Sequence, residues 1–222
     1  MLEKYKAHLK AITSQLPPHC QLLIVSKTRP ISDILAYYQL GHRDFGENRV
    51  QELMEKSQEL KDQCPEIRWH MIGHLQTNKI NQLLGIPHLY AIHSVDDREL
   101  LDKIIRAQDR IEKTIQIFLQ FNTSKEDAKS GFEAYTDLCS AAELALKSSK
   151  IKLAGLMTMG TVRTDAFEAE ARRCFEELLV EKEKLESDLG IKLLTSMGMS
   201  QDYQIAIEEG SNWIRLGTMM FT

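Results

Sequence analysis

The sequence predicts an α/β protein, a single closed (β/α)8 TIM barrel with an extra N-terminal helix. Short apolar or β-branched runs alternate with longer stretches of helical period, which is the pattern of parallel βαβ units. Eight strand candidates are present, and 222 residues with 43% hydrophobic content suffice for one core of this kind. Because no repeat or Pro/Gly/Ser linker divides the sequence, we expect residues 1–222 to form one domain. A doubly wound open sheet is the alternative fold.

The predicted elements begin with an amphipathic helix that ends near Pro17. The strand candidates are residues 21–26, 44–46, 68–72, 89–93, 114–121, 152–157, 192–196 and 213–216. The helix candidates are residues 31–40, 48–61, 77–84, 97–109, 131–148, 166–189 and 200–209. At the start of the longest helix, Asp165 followed three residues later by Glu168 predicts a capping box.

Charge and cysteine spacing exclude several classes of protein. The formal net charge of -4 has acids and bases interspersed, so neither a nucleic-acid face nor a polybasic membrane anchor is expected. The charged N-terminal segment lacks the apolar core of a signal peptide, and we expect a cytoplasmic monomer with a small-molecule ligand. The cysteines lack CxxC spacing, which indicates reduced thiols and no metal site; they are Cys20, Cys64, Cys139 and Cys174.

A phosphate site is predicted after the last two strands. In a (β/α)8 barrel the ligand binds at the carboxyl ends of the strands, often with a phosphate among the loops after strands 7 and 8. In SMGMSQDYQIAIEEG, Gly198 permits a tight turn and Ser200 is expected to cap a helix, whose first amides favour an anion. In RLGTMMFT, Gly217 and Thr218 offer close backbone approach and a second hydroxyl.

The run LLIVSKTRP places Lys27 at the end of the first strand, on the same rim. Near apolar walls and a second cation, a lysine is expected to have a depressed pKa, so that its neutral amine attacks a carbonyl. A lysine beside a phosphate site is compatible with two kinds of ligand. One is the aldehyde cofactor pyridoxal phosphate, and the other is a phosphorylated sugar in a Schiff-base aldolase.

Three further segments carry weaker signals. His70 and His74 are four residues apart in WHMIGHLQTNK, but the strand-like run before Gly73 argues against helical zinc ligands. Asn48, at the exit of strand 2 in FGENRVQE, is either a site residue or the N-cap of the next helix. NTSKEDAKSG is either a polar surface loop or a rim loop over the ligand.

Seven segments in order resemble the pyridoxal phosphate homeostasis proteins, the YggS/PROSC family. They are VSKT at Val25, FGEN at Phe45, WHMIGHLQTNK at Trp69, NTSKEDAKSG at Asn122, GLMTMG at Gly155, SMGMSQDYQIAIEEGS at Ser196 and IRLGTMMF at Ile214. The resemblance covers nearly the whole chain and implies an alanine-racemase N-terminal-domain-like barrel. It also implies the following cofactor-binding residues: Lys27 (the Schiff-base lysine), Asn48, His74, Met197 (lining the pocket), Ser200, Arg215 (facing the pyridine nitrogen), Gly217 and Thr218.

The resemblance implies a protein that holds pyridoxal 5'-phosphate, a vitamin B6 form, and supplies it to apoenzymes through transient contacts. It implies no established turnover, no catalytic residue and no metal. An amino-acid racemase-like enzyme is the first alternative. Against it, we find no segment for the second β domain that brings a catalytic tyrosine to the cofactor in related racemases. A Schiff-base aldolase on a phosphorylated sugar is the second alternative.

Overall fold

A closed barrel of eight parallel strands, in the order β1 to β8, forms the centre of the computed structural model. The structure describes residues 2–124, 130–160 and 166–222. The strands are β1 (Gln21–Val25), β2 (Asp44–Glu47), β3 (Arg68–Met71), β4 (Leu89–Val95), β5 (Ile115–Gln120), β6 (Ile151–Met157), β7 (Leu194–Ser196) and β8 (Trp213–Leu216). Pairing of β1 with β8 closes the sheet, so the predicted barrel is confirmed and the open sheet is wrong.

Helices follow the strands around the outside of the barrel. In the described part of the chain they are α1 (Leu2–Thr13), α2 (Ile31–Gln39), α3 (Val50–Leu60), α4 (Ile80–Leu84), α5 (Arg98–Arg106), α6 (Tyr135–Leu146), α7 (Phe167–Leu189), α8 (Tyr203–Glu208) and α9 (Thr218–Phe221). None of the helices in the described ranges is both long and apolar enough to cross a membrane.

Several predicted boundaries were wrong by a few residues. The predicted helix 131–148 begins only at Tyr135, because Phe132 pairs with Phe121 in an isolated bridge. The predicted helix 77–84 opens as a 3-10 turn, and α9 was not predicted. The predicted capping residue Asp165 lies outside the described residues.

Two hydrophobic layers result from the alternation of strand residues. Residues such as Leu22 and Ile24 point outward into the large core beneath the helices. The inward residues of β1, β4, β5, β6 and β8 form a smaller cluster, which comprises Leu23, Ala91, Phe118, Ala154, Met157 and Trp213. The barrel interior is therefore a packed core, and a ligand has room only above it.

The extra N-terminal helix α1 packs on α2 and on the last turn of the chain. The rings of Tyr5 and Tyr37 stack with centroids 4.8 Å apart, and the Tyr37 hydroxyl donates to the carbonyl of Met220 in α9. Since α9 begins at Thr218, these contacts hold the segment that follows β8.

Candidate functional site

A cavity of about 350 Å³ opens at the carboxyl ends of the strands, and residues in or just after all eight strands line it. The lining residues are Val25, Lys27, Asn48, Ile72, Gly73, His74, Asp96, Gln120, Ser130, Met159, Met199, Ser200, Arg215, Gly217 and Thr218. Seven of the eight residues predicted for the site are therefore brought together. The exception is Met197.

Met197 is fully buried in the hydrophobic core and is not among the lining residues, so its predicted place in the pocket is wrong. The reason is the alternation of side chains beyond β7, where Met197 follows the inward Ser196 and points outward. Met199, two residues later, lines the cavity instead.

Lys27 lies in a turn two residues beyond the end of β1 and is exposed. The sequence placed its ammonium group where the core hinders solvation, and the structure corrects this because the strand ends at Val25. The residues on either side of Lys27 are firmly held. Ser26 is fully buried, and Thr28 has a left-handed backbone with φ of 62°.

The turn that carries Lys27 is anchored from behind by charged groups of β2 and α3. The Lys56 ammonium donates to the Ser26 carbonyl at 2.7 Å and to the carboxylates of Glu47 and Glu52 at 2.8 and 2.6 Å. Glu47 also accepts the Ser26 hydroxyl at 2.6 Å, and Glu52 accepts the backbone N–H of Thr28 at 2.6 Å. Both neighbours of Lys27 are thus tied to a buried cation and its two acids.

Arg215 lies inside the rim, and the residue is only 4% exposed. It donates to the carbonyl and the hydroxyl of Ser196, both at 2.7 Å, and to the carbonyl of Thr158 at 2.9 Å. Burial lowers the pKa of Arg215 to about 10, against a small opposing effect of Asp202, so the group remains a cation at neutral pH. The cavity therefore has a fixed positive charge on its inner side.

The segments after β7 and β8 place two hydroxyl groups at the cavity. Ser200 and Thr218 are both exposed and line it, and Gly198 has φ of 96°, which confirms the predicted tight turn. The prediction that Ser200 caps α8 is wrong. Residues 200–202 form a turn, and Asp202 occupies the position before the helix.

Asn48 and His74 line the cavity from the exits of β2 and β3. Asn48 is not the N-cap of α3, since Arg49 takes that position, and this outcome leaves Asn48 in the cavity wall. The His74 ring, 62% exposed, lies 2.9 Å from the buried Asp96 carboxylate. His70 and His74 do not form a pair of metal ligands, because His70 lies inside the barrel. Within the described ranges, no group of three or more ligating side chains is placed to hold a metal ion.

Sequence reasoning missed Asp96 and the residues that anchor the Lys27 turn. A signal for Asp96 was present, because an acid directly after a strand of a (β/α)8 barrel lies on the ligand rim. Lys56 carried no such signal. In the sequence, Lys56 looks like any charged residue of an amphipathic helix. Only the packing of α3 against the turn that carries Lys27 shows its role.

The fold and cavity together define a (β/α)8 barrel protein with a lysine, a buried arginine and two hydroxyls at the carboxyl rim. The family model described as alanine racemase, N-terminal domain, matches residues 1–222. The pyridoxal phosphate homeostasis protein of Mus musculus is 37% identical over 208 residues, which cover 90% of this chain and 76% of the mouse protein. That of Vibrio alginolyticus is 34% identical over 232 residues, with 99% and 97% coverage.

A solved structure supports the same family relationship. The PipY protein of Synechococcus elongatus PCC7942, determined with PLP bound, superposes with a TM-score of 0.87 and 33% identity, and the match covers 98% of this chain and 100% of PipY. The chain belongs to the family of the pyridoxal phosphate homeostasis proteins, within the alanine racemase N-terminal domain family.

Replacing Lys56 by Met should lower the free energy of unfolding by about 3–5 kcal/mol, because Glu47 is left as an uncompensated buried charge. Burial already raises the pKa of Glu47 above its usual value, although Lys56 and Ser26 oppose this. Without Lys56 the pKa rises further, and the folded state then binds more protons than the unfolded state. The stability of Lys56→Met should therefore fall as the pH rises above the usual pKa of a glutamate, as urea denaturation at several pH values measures.

The double variant Lys56→Met/Glu47→Gln is the matched control, since it has the same apolar replacement but no carboxyl group at position 47. The stability of this double variant should not show the decrease with rising pH that is due to Glu47. Equal pH dependence of the two variants would contradict the assignment of Glu47 as the buried acid that Lys56 compensates.

Proposed function

We propose that this protein binds pyridoxal 5'-phosphate through a Schiff base on Lys27 and serves in intracellular homeostasis and supply of the cofactor. The observation that carries the proposal is the convergence of Lys27, Arg215, Ser200 and Thr218 on one cavity. The family relationship and the PLP-bound PipY structure support it. We further propose that residues 1–222 act as one cytoplasmic, monomeric, cofactor-binding domain that meets apoenzymes transiently.

The residues present fit the cofactor. The volume of about 350 Å³ lies within the range of small-ligand pockets. Ser200 and Thr218, with the backbone at Gly217, offer hydrogen-bond donors for a phosphate, Lys27 offers an amine for an aldehyde, and Arg215 supplies positive charge. The wall also contains apolar surface from Val25, Ile72, Met159 and Met199, which suits an aromatic ring.

Each of these residues has a separate task in the proposal. The Lys27 amine condenses with the aldehyde of the cofactor, forming a C=N bond with loss of one water. When bound, the cofactor supplies a reactive aldehyde and an electron-withdrawing ring. Ser200 and Thr218 hold the phosphate, and Asn48 and His74 border the ring. By family resemblance Arg215 faces the pyridine nitrogen, and its guanidinium stays protonated there. A protonated guanidinium there opposes protonation of the ring, which weakens it as an electron sink.

One observation favours the racemase-like alternative strongly enough to require a test. Besides Lys27, His74, with its hydrogen bond to Asp96, lines the same cavity. Two groups that accept and donate protons at one cofactor are what amino-acid chemistry needs. The distinction between carrier and enzyme therefore rests on measured turnover.

Lys27→Ala should abolish covalent attachment of pyridoxal phosphate while leaving the barrel folded, because the side chain is exposed and outside the core. Borohydride reduction followed by peptide mass spectrometry measures the attachment, and circular dichroism measures the fold. Lys79→Ala is the matched control, since Lys79 is not among the lining residues. Reduced cofactor on Lys79, Lys125 or Lys129 of the unaltered protein would disprove the assignment.

Ser200→Ala combined with Thr218→Val should weaken binding of pyridoxal phosphate far more than binding of unphosphorylated pyridoxal. Hydrogen bonds to a charged group contribute about 1.5–3 kcal/mol each, so the loss for the phosphorylated ligand should be at least roughly tenfold. Absorption titrations with both ligands measure the difference. An equal loss for the two ligands would place the phosphate elsewhere.

The holo protein should restore activity to an added apo-transaminase without turning over amino acids itself. Incubation with L-alanine and other amino acids, followed by assays for D-enantiomers, keto acids and amines, should show nothing above free pyridoxal phosphate. Lys27→Ala serves as the control for cofactor that is merely carried over. Turnover of one amino acid that is lost in both Lys27→Ala and His74→Ala would replace the carrier proposal by the enzyme alternative.

A further inference from the structure

A continuous chain of buried hydrogen bonds crosses the interior of the barrel and ends at the cavity. Its links are the Asp44 carboxylate to His70 Nε2 at 3.0 Å, His70 Nδ1 to His93 Nε2 at 2.9 Å, and His93 Nδ1 to the Ser196 hydroxyl at 2.8 Å. The last link joins the Ser196 hydroxyl to the Arg215 guanidinium at 2.7 Å. The five residues come from β2, β3, β4, β7 and β8.

The Asp44 end fixes the direction of every link. An ionised carboxylate only accepts hydrogen bonds, so His70 must carry a proton on Nε2. A neutral His70 then has a bare Nδ1, which requires a proton on Nε2 of His93. His93 in turn has a bare Nδ1, which accepts the proton of the Ser196 hydroxyl.

The Arg215 end is consistent with the same direction. A guanidinium only donates, so the Ser196 oxygen accepts from Arg215, and the single Ser196 proton remains available for the bare Nδ1 of His93. Donor and acceptor therefore alternate without conflict from Arg215 to Asp44. Hydrogen bonds aligned in this way polarise and strengthen one another.

Both histidines are neutral in this arrangement, as their surroundings require. Burial, followed by the electrostatic interaction with its neighbours His70 and Arg215, holds the pKa of His93 well below its usual value. Burial also lowers the pKa of His70, although Asp44 opposes it. The pKa of Asp44 is lowered: burial opposes its charge, but His70 and Arg68 outweigh that effect, so it is ionised at neutral pH.

We propose that Asp44, His70, His93 and Ser196 are positioning residues for Arg215, which fix the orientation of its guanidinium at the cavity through one directed hydrogen-bond chain. Asp44 and Arg215, the two ends of the chain, are both buried, but Asp44 pairs with Arg68, whose side chain is 41% exposed at the amino end of the barrel. The chain thus connects the cavity to the opposite end of the molecule.

The energetics favour a role beyond stability. Five polar side chains inside a barrel are not needed for a stable core, because well-packed apolar residues of similar volume are often equally or more stabilising than buried charges. Moreover, within the described residues the Arg215 guanidinium bonds to Ser196 and Thr158 and to no carboxylate directly. The Asp44 charge instead orders the groups that bind Arg215.

The first test is the tautomer of each histidine in the protein without ligand. In long-range ¹H–¹⁵N correlation spectra near neutral pH, His70 and His93 should both be neutral, with the proton on Nε2 and a bare Nδ1. Spectra of His70→Gln and His93→Gln assign the signals, and the exposed His19 is the internal reference for tautomer averaging. A proton on Nδ1 of either buried histidine, or a mixture of tautomers, would overturn the proposal.

The second test measures Arg215 itself through hydrogen exchange of its guanidinium N–H groups. Ser196→Ala removes one of its hydrogen bonds and should accelerate exchange roughly tenfold or more. His93→Leu leaves Ser196 in place but removes its acceptor, and should accelerate exchange in the same direction by less. Phe118→Leu is the matched control, because its ring stacks on His93 at 4.3 Å without joining the chain, and it should leave exchange unchanged.

Equal effects of His93→Leu and Phe118→Leu on guanidinium exchange would show that His93 acts only by packing, and would overturn the positioning role. The expected effect of this positioning role on ligand binding rests on the proposed function. In pyridoxal phosphate titrations, His93→Leu should bind more weakly than Phe118→Leu. Failure of the unaltered protein to bind pyridoxal phosphate would refute the proposed function, while the tautomer and exchange measurements would still decide the inference.

Discussion

Closure of the parallel sheet through β1 and β8 is the constraint on which the site depends. The register pairs Leu23 of β1 with Arg215 of β8. As both strands run in the same direction, the residues that follow them leave the barrel at the same rim. Lys27 and Thr218 consequently line one cavity, although 190 residues of sequence separate them. An open sheet with the same sequential strand order would have left these two strands at opposite edges.

The barrel interior combines an apolar cluster with the hydrogen-bond chain that runs from Asp44 to Arg215. Trp213 and Phe118 pack against the rings of His70 and His93, at centroid distances of 5.1 and 4.3 Å, so the imidazoles serve both as packing groups and as links between hydrogen bonds. The low dielectric constant of this interior strengthens a fully satisfied chain and penalises a broken one. Arg215 is therefore held by an arrangement with little freedom to rearrange.

The exposed half of the site relies on a different kind of support. Lys27 lies on a turn, and turns are mobile unless their backbone is bonded to the scaffold. Here Lys56 and Glu52 of α3 bond to the two neighbours of Lys27, while the lysine side chain itself stays exposed. The backbone is fixed and the amine is accessible, which are the conditions for a nucleophile that must accept and release a ligand.

Periodicity in the sequence by itself determined the barrel and most of the candidate site. Apolar runs show where strands end, and in a (β/α)8 barrel every strand ends at the ligand rim, so Lys27, Asn48, Ser200, Gly217 and Thr218 could be placed there in advance. The family resemblance, and not periodicity, placed His74 and Arg215. Which of them hold the cofactor stays a prediction.

Only the tertiary structure decided the supporting contacts. Local sequence does not reveal which helix residue meets a distant turn, so Lys56 and Asp96 were missed, and Met197 was placed one step out of the strand alternation. In the proposed hydrogen-bond chain, the tautomers of His70 and His93 likewise depend on Asp44, which comes from a different strand. Hydrogen-bond direction is a property of the assembled network, and closure of the barrel is what assembles it.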